Sequence, residues 1–253
     1  MERIKIYDTT LRDGMQAEGI SFSLDDKLAI AKHLDKLGFD YIEGGYASSN
    51  QKEMQFFLEA GKLGLKAAKI AGFGNTRRAD ATCQTDASLN AILACKTPAA
   101  TLVGKCWDLH VTEVLRCSLD ENVKICAESV QYMKSKGLEV IFDAEHFFDG
   151  YKKNPDYAMK VLTAVVEAKA NVIALCETNG GCLPNEVYEI TKAVKQNSAK
   201  YRSAFTATTT PIVRLLTLWP PFTPAQDTSR VQSTALAKEQ ATPTYALSFR
   251  TSP

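Results

Sequence analysis

Along the first 200 residues, short unbroken apolar runs alternate with longer stretches in which apolar side chains return every three or four positions. The short runs lie at 4–9, 41–44, 67–73, 100–105, 139–143 and 172–176. They lack a polar/apolar alternation, so each predicts a strand buried on both faces. The longer stretches predict helices. Leu28, Ile30, Ala31, Leu34 and Leu37 recur on one face behind Ser23, a hydroxyl suited to cap a first turn, and Gly38 ends the run. A second helix runs through Val123, Ile125, Val130, Tyr132 and Met133 to Gly137, and a third uses Tyr157, Val161, Val165 and Val166. Buried strands joined by helices imply an α/β fold with a parallel sheet covered by helices. Six such units make up most of a (β/α)8 TIM barrel. An open doubly wound sheet is the alternative. Against it, no Gly-x-Gly-x-x-Gly follows the first strand, and Gly72-Phe73-Gly74 alone is weak.

The pattern breaks near residue 200. All 14 glycines, all seven cysteines and all three histidines lie in residues 1–200, whereas the last 53 residues hold six of the nine prolines. The chain therefore divides into 1–200, an incomplete barrel, and 201–253, an aberrant tail. Within that tail, Ile212-Val213-Arg214-Leu215-Leu216-Thr217-Leu218-Trp219 is too apolar for a solvated linker. The remaining composition mainly excludes. With 30 basic against 29 acidic side chains the net charge is +1, which gives no field to attract nucleic acid or an anionic membrane. No apolar run is long enough to span a bilayer. The N-terminus has no secretion-signal core, and an odd cysteine count without a Cys-x-x-Cys pair fits reduced thiols in the cytoplasm.

In a barrel the chemistry sits where the strands end. The six predicted strand ends carry Asp8 to Gln16; Glu43-Gly44-Gly45; Gly72, Asn75, Arg77 and Arg78; Lys105, Trp107, Asp108 and His110; Asp143, Glu145 and His146; and Glu177 to Gly181. So many polar strand ends point to an active site. Asp13 beside Arg12 can hold a hard divalent cation while the guanidinium polarises a carbonyl, or the two can form a plain surface ion pair. Glu145 suits a general base, a water-positioning group or a solvated loop carboxylate. His110 and His146 are ligands, acid/base groups or hydrogen-bonded structure. Thr178 and Asn179 offer neutral hydrogen bonds to a carboxylate, or shape the turn with Gly180-Gly181.

Asp8-Thr9-Thr10-Leu11-Arg12-Asp13-Gly14, followed by Gln16, resembles the N-terminal signature of a family of Claisen-condensing acyltransferases and lyases. That family includes isopropylmalate, homocitrate and citramalate synthases and hydroxymethylglutaryl-CoA lyase. The runs 40–45, 107–113, 143–152 and 175–184 resemble its citramalate synthase branch, and the likeness covers roughly residues 3–198. It implies a TIM barrel that condenses acetyl-CoA with pyruvate, a 2-keto acid, on a divalent metal (magnesium, manganese or zinc), for isoleucine and related amino-acid biosynthesis. By matching position, Arg12 is the catalytic arginine on the keto oxygen and Glu145 the catalytic acid/base. Asp13 is a metal ligand, Thr178 holds the keto-acid carboxylate, and Gln16 is a further substrate-binding residue. A homodimer follows from the same likeness. Isopropylmalate and homocitrate synthase are the alternatives within the family, and a non-catalytic ligand-binding relative is the alternative outside catalysis.

The family pattern next requires a strand with His-x-His-Asn-Asp, and no histidine follows His146. The chain as it stands is therefore expected to be inactive and poorly folded, with only six in-frame strands and two open sheet edges. Reading frame offers an explanation. Permitted codons for residues 202–211, read again with one base added in front, encode PLGIHCHNDT. From about Arg202 the tail is thus expected to be an out-of-frame translation of the missing strands.

Overall fold

Six strands form where the unbroken apolar runs lie, each followed by at least one helix. The computed structural model describes residues 5–197 and the backbone of two further strands, Ala204–Thr208 and Val231–Gln232. In chain order the elements are β1 (Ile6–Asp8), α1 (Leu24–Lys36), β2 (Tyr41–Tyr46), α2 (Gln51–Ala60), β3 (Lys69–Asn75), α3 (Ala87–Ala94) and β4 (Ala99–Lys105). A single turn, α4 (Asp108–His110), opens into a wide turn, Val111–Leu115. There follow α5 (Leu119–Ser135), β5 (Glu139–Glu145), α6 (Phe147–Lys153), α7 (Pro155–Glu167), β6 (Val172–Cys176), α8 (Pro184–Asn197), β7 (Ala204–Thr208) and β8 (Val231–Gln232).

Local chemistry sets the helix ends. Ser23 and Asp26 satisfy each other's backbone N–H groups in a reciprocal capping box at the start of α1. Gly38 and Gly137, just past α1 and α5, take φ values of +81° and +85°, a turn of the chain that L side chains resist.

All strand pairs are parallel, in the order β7-β6-β5-β4-β3-β2-β1-β8. The ends of the sheet curl toward each other until Cα atoms of β7 and β8 lie within 8 Å. The six expected strand–helix units all form, and two further short strands pair at the ends of the sheet. β7 pairs with β6 along all five of its residues, and β8 pairs with β1 through two. An edge strand offers N–H and C=O groups whatever the partner's sequence, and Ala204-Phe205-Thr206-Ala207-Thr208 has the β-branched and aromatic content to use them. The rest of the 201–253 segment lies outside the described residues.

The main core lies between sheet and helices, from Leu34 and Phe56 round to Val161 and Val187. A second cluster fills the floor of the barrel, with one residue from each of six strands: Tyr7, Tyr41, Ala71, Ala99, Ile141 and Val172. Beneath it, Glu139 binds Lys69 at 2.6 Å and also accepts from the Tyr41 hydroxyl. Side chains two apart on a strand share a face. Climbing from this floor, polar residues appear at inner positions: Glu43 above Tyr41 on β2, Thr101 and then, past Val103, Lys105 above Ala99 on β4, and Asp143 and Glu145 above Ile141 on β5. Polarity thus accumulates at the C-terminal ends of the strands.

Candidate active site at the C-terminal rim

Two groups of side chains converge at this end. The first is centred on Arg12, in the turn after β1. Its Nε donates to Glu43, its Nη1 lies 3.4 Å from Asp13 Oδ1, and its guanidinium covers the Phe73 ring at 4.0 Å. Burial works against the charge of Arg12, but Glu43 and Asp13 outweigh it and keep the guanidinium firmly protonated. Glu43, fully buried, also accepts from the Tyr7 hydroxyl at 2.5 Å, and that hydroxyl lies 2.6 Å from Thr101 Oγ1. Burial pushes the Glu43 carboxyl above its ordinary value despite Arg12 beside it. The planar cation is thus held between two carboxylates and a ring, with its remaining N–H groups available to an oxygen.

The second group gathers at the ends of β4, β5 and β6. Glu145 pairs with Lys105, its parallel neighbour in register. The backbone N–H of His146 donates to Thr178 Oγ1 at 3.1 Å, which ties the β5 and β6 loops together. His110 and His146 meet edge to face with ring centroids 4.6 Å apart, and Trp107 packs against His110 at 4.7 Å. His110 Nδ1 is buried with no partner among the described residues. Burial, then the neighbouring His146 and Lys105, lower its pKa and favour the neutral ring.

Asp143 links the groups. It accepts from Cys176 Sγ at 2.8 Å, and burial raises its pKa to about 6, with Arg12, Glu43 and Glu145 all close enough to act on it.

Of the residues expected at the site, Arg12 and Asp13 adjoin in one group, and Glu145 and Thr178 stand on the two tied loops of the other. Gln16 ends the short 3₁₀ turn after Asp13 and is exposed. Glu43, Lys105 and Asp143 were visible as strand-end polar residues but not as members of the site. The two-residue rhythm Ile141, Asp143, Glu145 was the available signal for the third.

A metal fits poorly. Among the described residues no three His, Cys, Asp or Glu side chains are arranged to hold one. Asp13, the expected ligand, faces a guanidinium, and His33 is exposed on α1. The described residues do not form a metal site. None of the seven cysteines, all among the described residues, is in a disulfide, and no helix among the described residues is long and apolar enough to cross a membrane.

A family profile described as HMGL-like matches residues 3–207. The (R)-citramalate synthase of Aquifex aeolicus is 52% identical over 195 residues, 77% of this chain and 37% of that protein. The (R)-citramalate synthase of Sulfolobus acidocaldarius is 54% identical over 191 residues, 76% of this chain and 36% of that protein. A probable 2-isopropylmalate synthase of Archaeoglobus fulgidus is 31% identical over 197 residues, 78% of this chain and 37% of that protein. The chain thus spans little more than a third of the length of these curated relatives. Among solved structures, the HMG-CoA lyase of Bacillus subtilis superposes with a TM-score of 0.69 at 15% identity, covering 92% of this chain and 77% of that one. That likeness speaks to the barrel fold alone.

Proposed function

The chain belongs to the HMGL-like family, and on that premise we propose that its barrel is that of a citramalate synthase, an acyltransferase that condenses acetyl-CoA with pyruvate. The observation that carries this reading is the Arg12 guanidinium, pinned by Glu43 and Phe73 at the same rim as Glu145 and Thr178. Arg12 donates N–H to the keto oxygen of pyruvate and stabilises the alkoxide that forms there. The Thr178 loop holds the pyruvate carboxylate, with Gln16 alongside. Glu145 takes a proton from the methyl group of the thioester, the resulting enolate carbon attacks the keto carbon, and that proton passes to the alkoxide to give the tertiary alcohol. Water then adds to the thioester carbonyl, the C–S bond breaks, and CoA leaves as the free thiol. Greater identity to citramalate than to isopropylmalate synthases supports pyruvate over a bulkier keto acid.

The reading extends to a cytoplasmic enzyme of amino-acid biosynthesis that works as a homodimer, with Asp13 as one ligand of a divalent metal. The remaining ligands belong to the reading frame that the segment 201–253 has left. That segment is an aberrant, out-of-frame tail on a barrel of 1–200, so the 253-residue chain is inactive.

Release of free CoA from acetyl-CoA tests the proposal. The chain with one base restored ahead of codon 202 is expected to release CoA with pyruvate, and the 253-residue chain to release none. Turnover of only 2-ketoisovalerate or 2-ketoglutarate by the restored form would overturn the pyruvate assignment.

A further inference from the structure

The residue directly after Glu145 sits in an unusual conformation. His146 has φ +51° and ψ +33°, the left-handed region that a non-glycine residue occupies only when its surroundings hold it there. What holds it is the short helix α6 that it precedes. His146 Nδ1 lies 3.2 Å from Asp149 Oδ2, one turn into α6. The same oxygen accepts from Asn179 Nδ2 at 2.8 Å. Asp149 thus gathers one donor from the β5 loop and one from the β6 loop onto a single atom, while His146 N–H bonds Thr178 Oγ1 beside them.

The opposite side of α6 is fixed independently. A Cβ on Gly150 would meet the Cys106 carbonyl oxygen at 2.6 Å and Trp107 Cα at 2.9 Å, so the helix packs backbone against backbone on the β4 loop. Asn154, which follows α6, donates to Asp108 Oδ2 at 2.8 Å. One short helix therefore registers three rim loops, and its contacts through Asp149 reach His146 and Asn179, the residues that follow Glu145 and Thr178.

We propose that Asp149 is a positioning residue: it clamps the β5 and β6 loops together and so sets the placement of Glu145 relative to Thr178. Its carboxylate keeps the His146 proton on Nδ1, because an acceptor at one ring nitrogen selects the tautomer, and this leaves Nε2 as an acceptor on the rim. The inference rests on the reading of Glu145 and Thr178 as base and carboxylate holder.

The test uses the 253-residue chain labelled with nitrogen-15, and pyruvate as the probe. Long-range proton–nitrogen spectra report the tautomer of each of the three histidines, and backbone amides report the loops. In the unaltered chain His146 is expected to carry its proton on Nδ1, and pyruvate is expected to shift the Thr178 amide. Asp149→Ala is expected to move the proton to Nε2, shift the His146 and Thr178 amides, and raise the pyruvate concentration needed by about tenfold. Asp149→Asn keeps an oxygen where the two donors meet and is expected to restore both readouts. An unchanged His146 tautomer and unchanged amides in Asp149→Ala overturn the clamp. A moved tautomer with unaltered pyruvate response overturns the positioning role. If pyruvate shifts nothing in the unaltered chain, the reading of Thr178 as carboxylate holder fails and the positioning role with it, while the tautomer arm still decides the clamp.

Discussion

Asp143 has an ordinary carboxyl pKa of 3.8 when unfolded and one of about 6 in the barrel, chiefly because burial penalises its charge. A folded pKa above the unfolded one means that the group's contribution is full below about pH 4 and is lost as pH rises through about 6. At pH 7.5 the chain therefore carries the cost of a buried carboxylate, at most about 3 kcal/mol for a shift of this size. Asp143→Asn keeps an oxygen for Cys176 Sγ and removes the charge. It is expected to raise the melting temperature at pH 7.5 by several degrees and to leave it nearly unchanged at pH 4. Melts at the two pH values check this; equal gains at both would show that the charge is not responsible. A carboxylate carried at that cost near Arg12 and Glu145 fits a rim where local charge matters more than stability.

Among the elements, α1 and α2 are joined by a buried ion pair. Lys27 is wholly buried, with its ammonium 2.7 Å from Glu53 Oε2 and 4.7 Å from the centre of the Phe56 ring. Burial lowers the lysine pKa, and Glu53 works in the opposite direction. The pair lies behind the irregularity in β2 between Glu43 and Gly45, and a Cβ on Gly45 would stand 1.6 Å from Glu53 Oε2. Glu43, which holds Arg12, borders that irregularity. Lys27→Met alone strands a buried carboxylate and is expected to cost about 3–5 kcal/mol by urea unfolding. Lys27→Met with Glu53→Leu is expected to recover most of the loss, since a buried pair and a packed apolar pair are often near parity. A double variant as unstable as the single one would mean that the ion pair itself holds the junction.

For the whole molecule, the decisive region is the join between the first six strand–helix units and the segment after residue 200. β7 and β8 supply backbone to both edges of the sheet, but β8 does so over only two residues. The expected consequence is weak closure. Restoring one base ahead of codon 202 is expected to give a chain that melts at a higher temperature than the 253-residue chain and binds a divalent cation more tightly. Calorimetry with magnesium, manganese and zinc separates the two forms. Equal melting temperatures and equal cation affinities would sink the reading-frame proposal, and sequencing the locus around codon 202 addresses its cause.

Much of this architecture is legible in the sequence alone. The apolar runs located six strands, Ser23 and Gly38 marked the ends of α1, and the rim residues stood out because polar groups followed buried strands. Those signals are local: helix periodicity, capping and strand burial each depend on residues a few positions apart. Tertiary structure decided the partnerships. Arg12 meets Glu43 across 31 positions, Lys105 meets Glu145 across 40, and His146 meets Thr178 across 32. Such contacts follow from which strands lie side by side and in what register, and composition does not encode that directly. The barrel also decided the energetics of Asp143, which became costly only when six strands enclosed it. It brought Ala204–Thr208 into the sheet as well, because an open edge recruits backbone with little regard for the side chains attached.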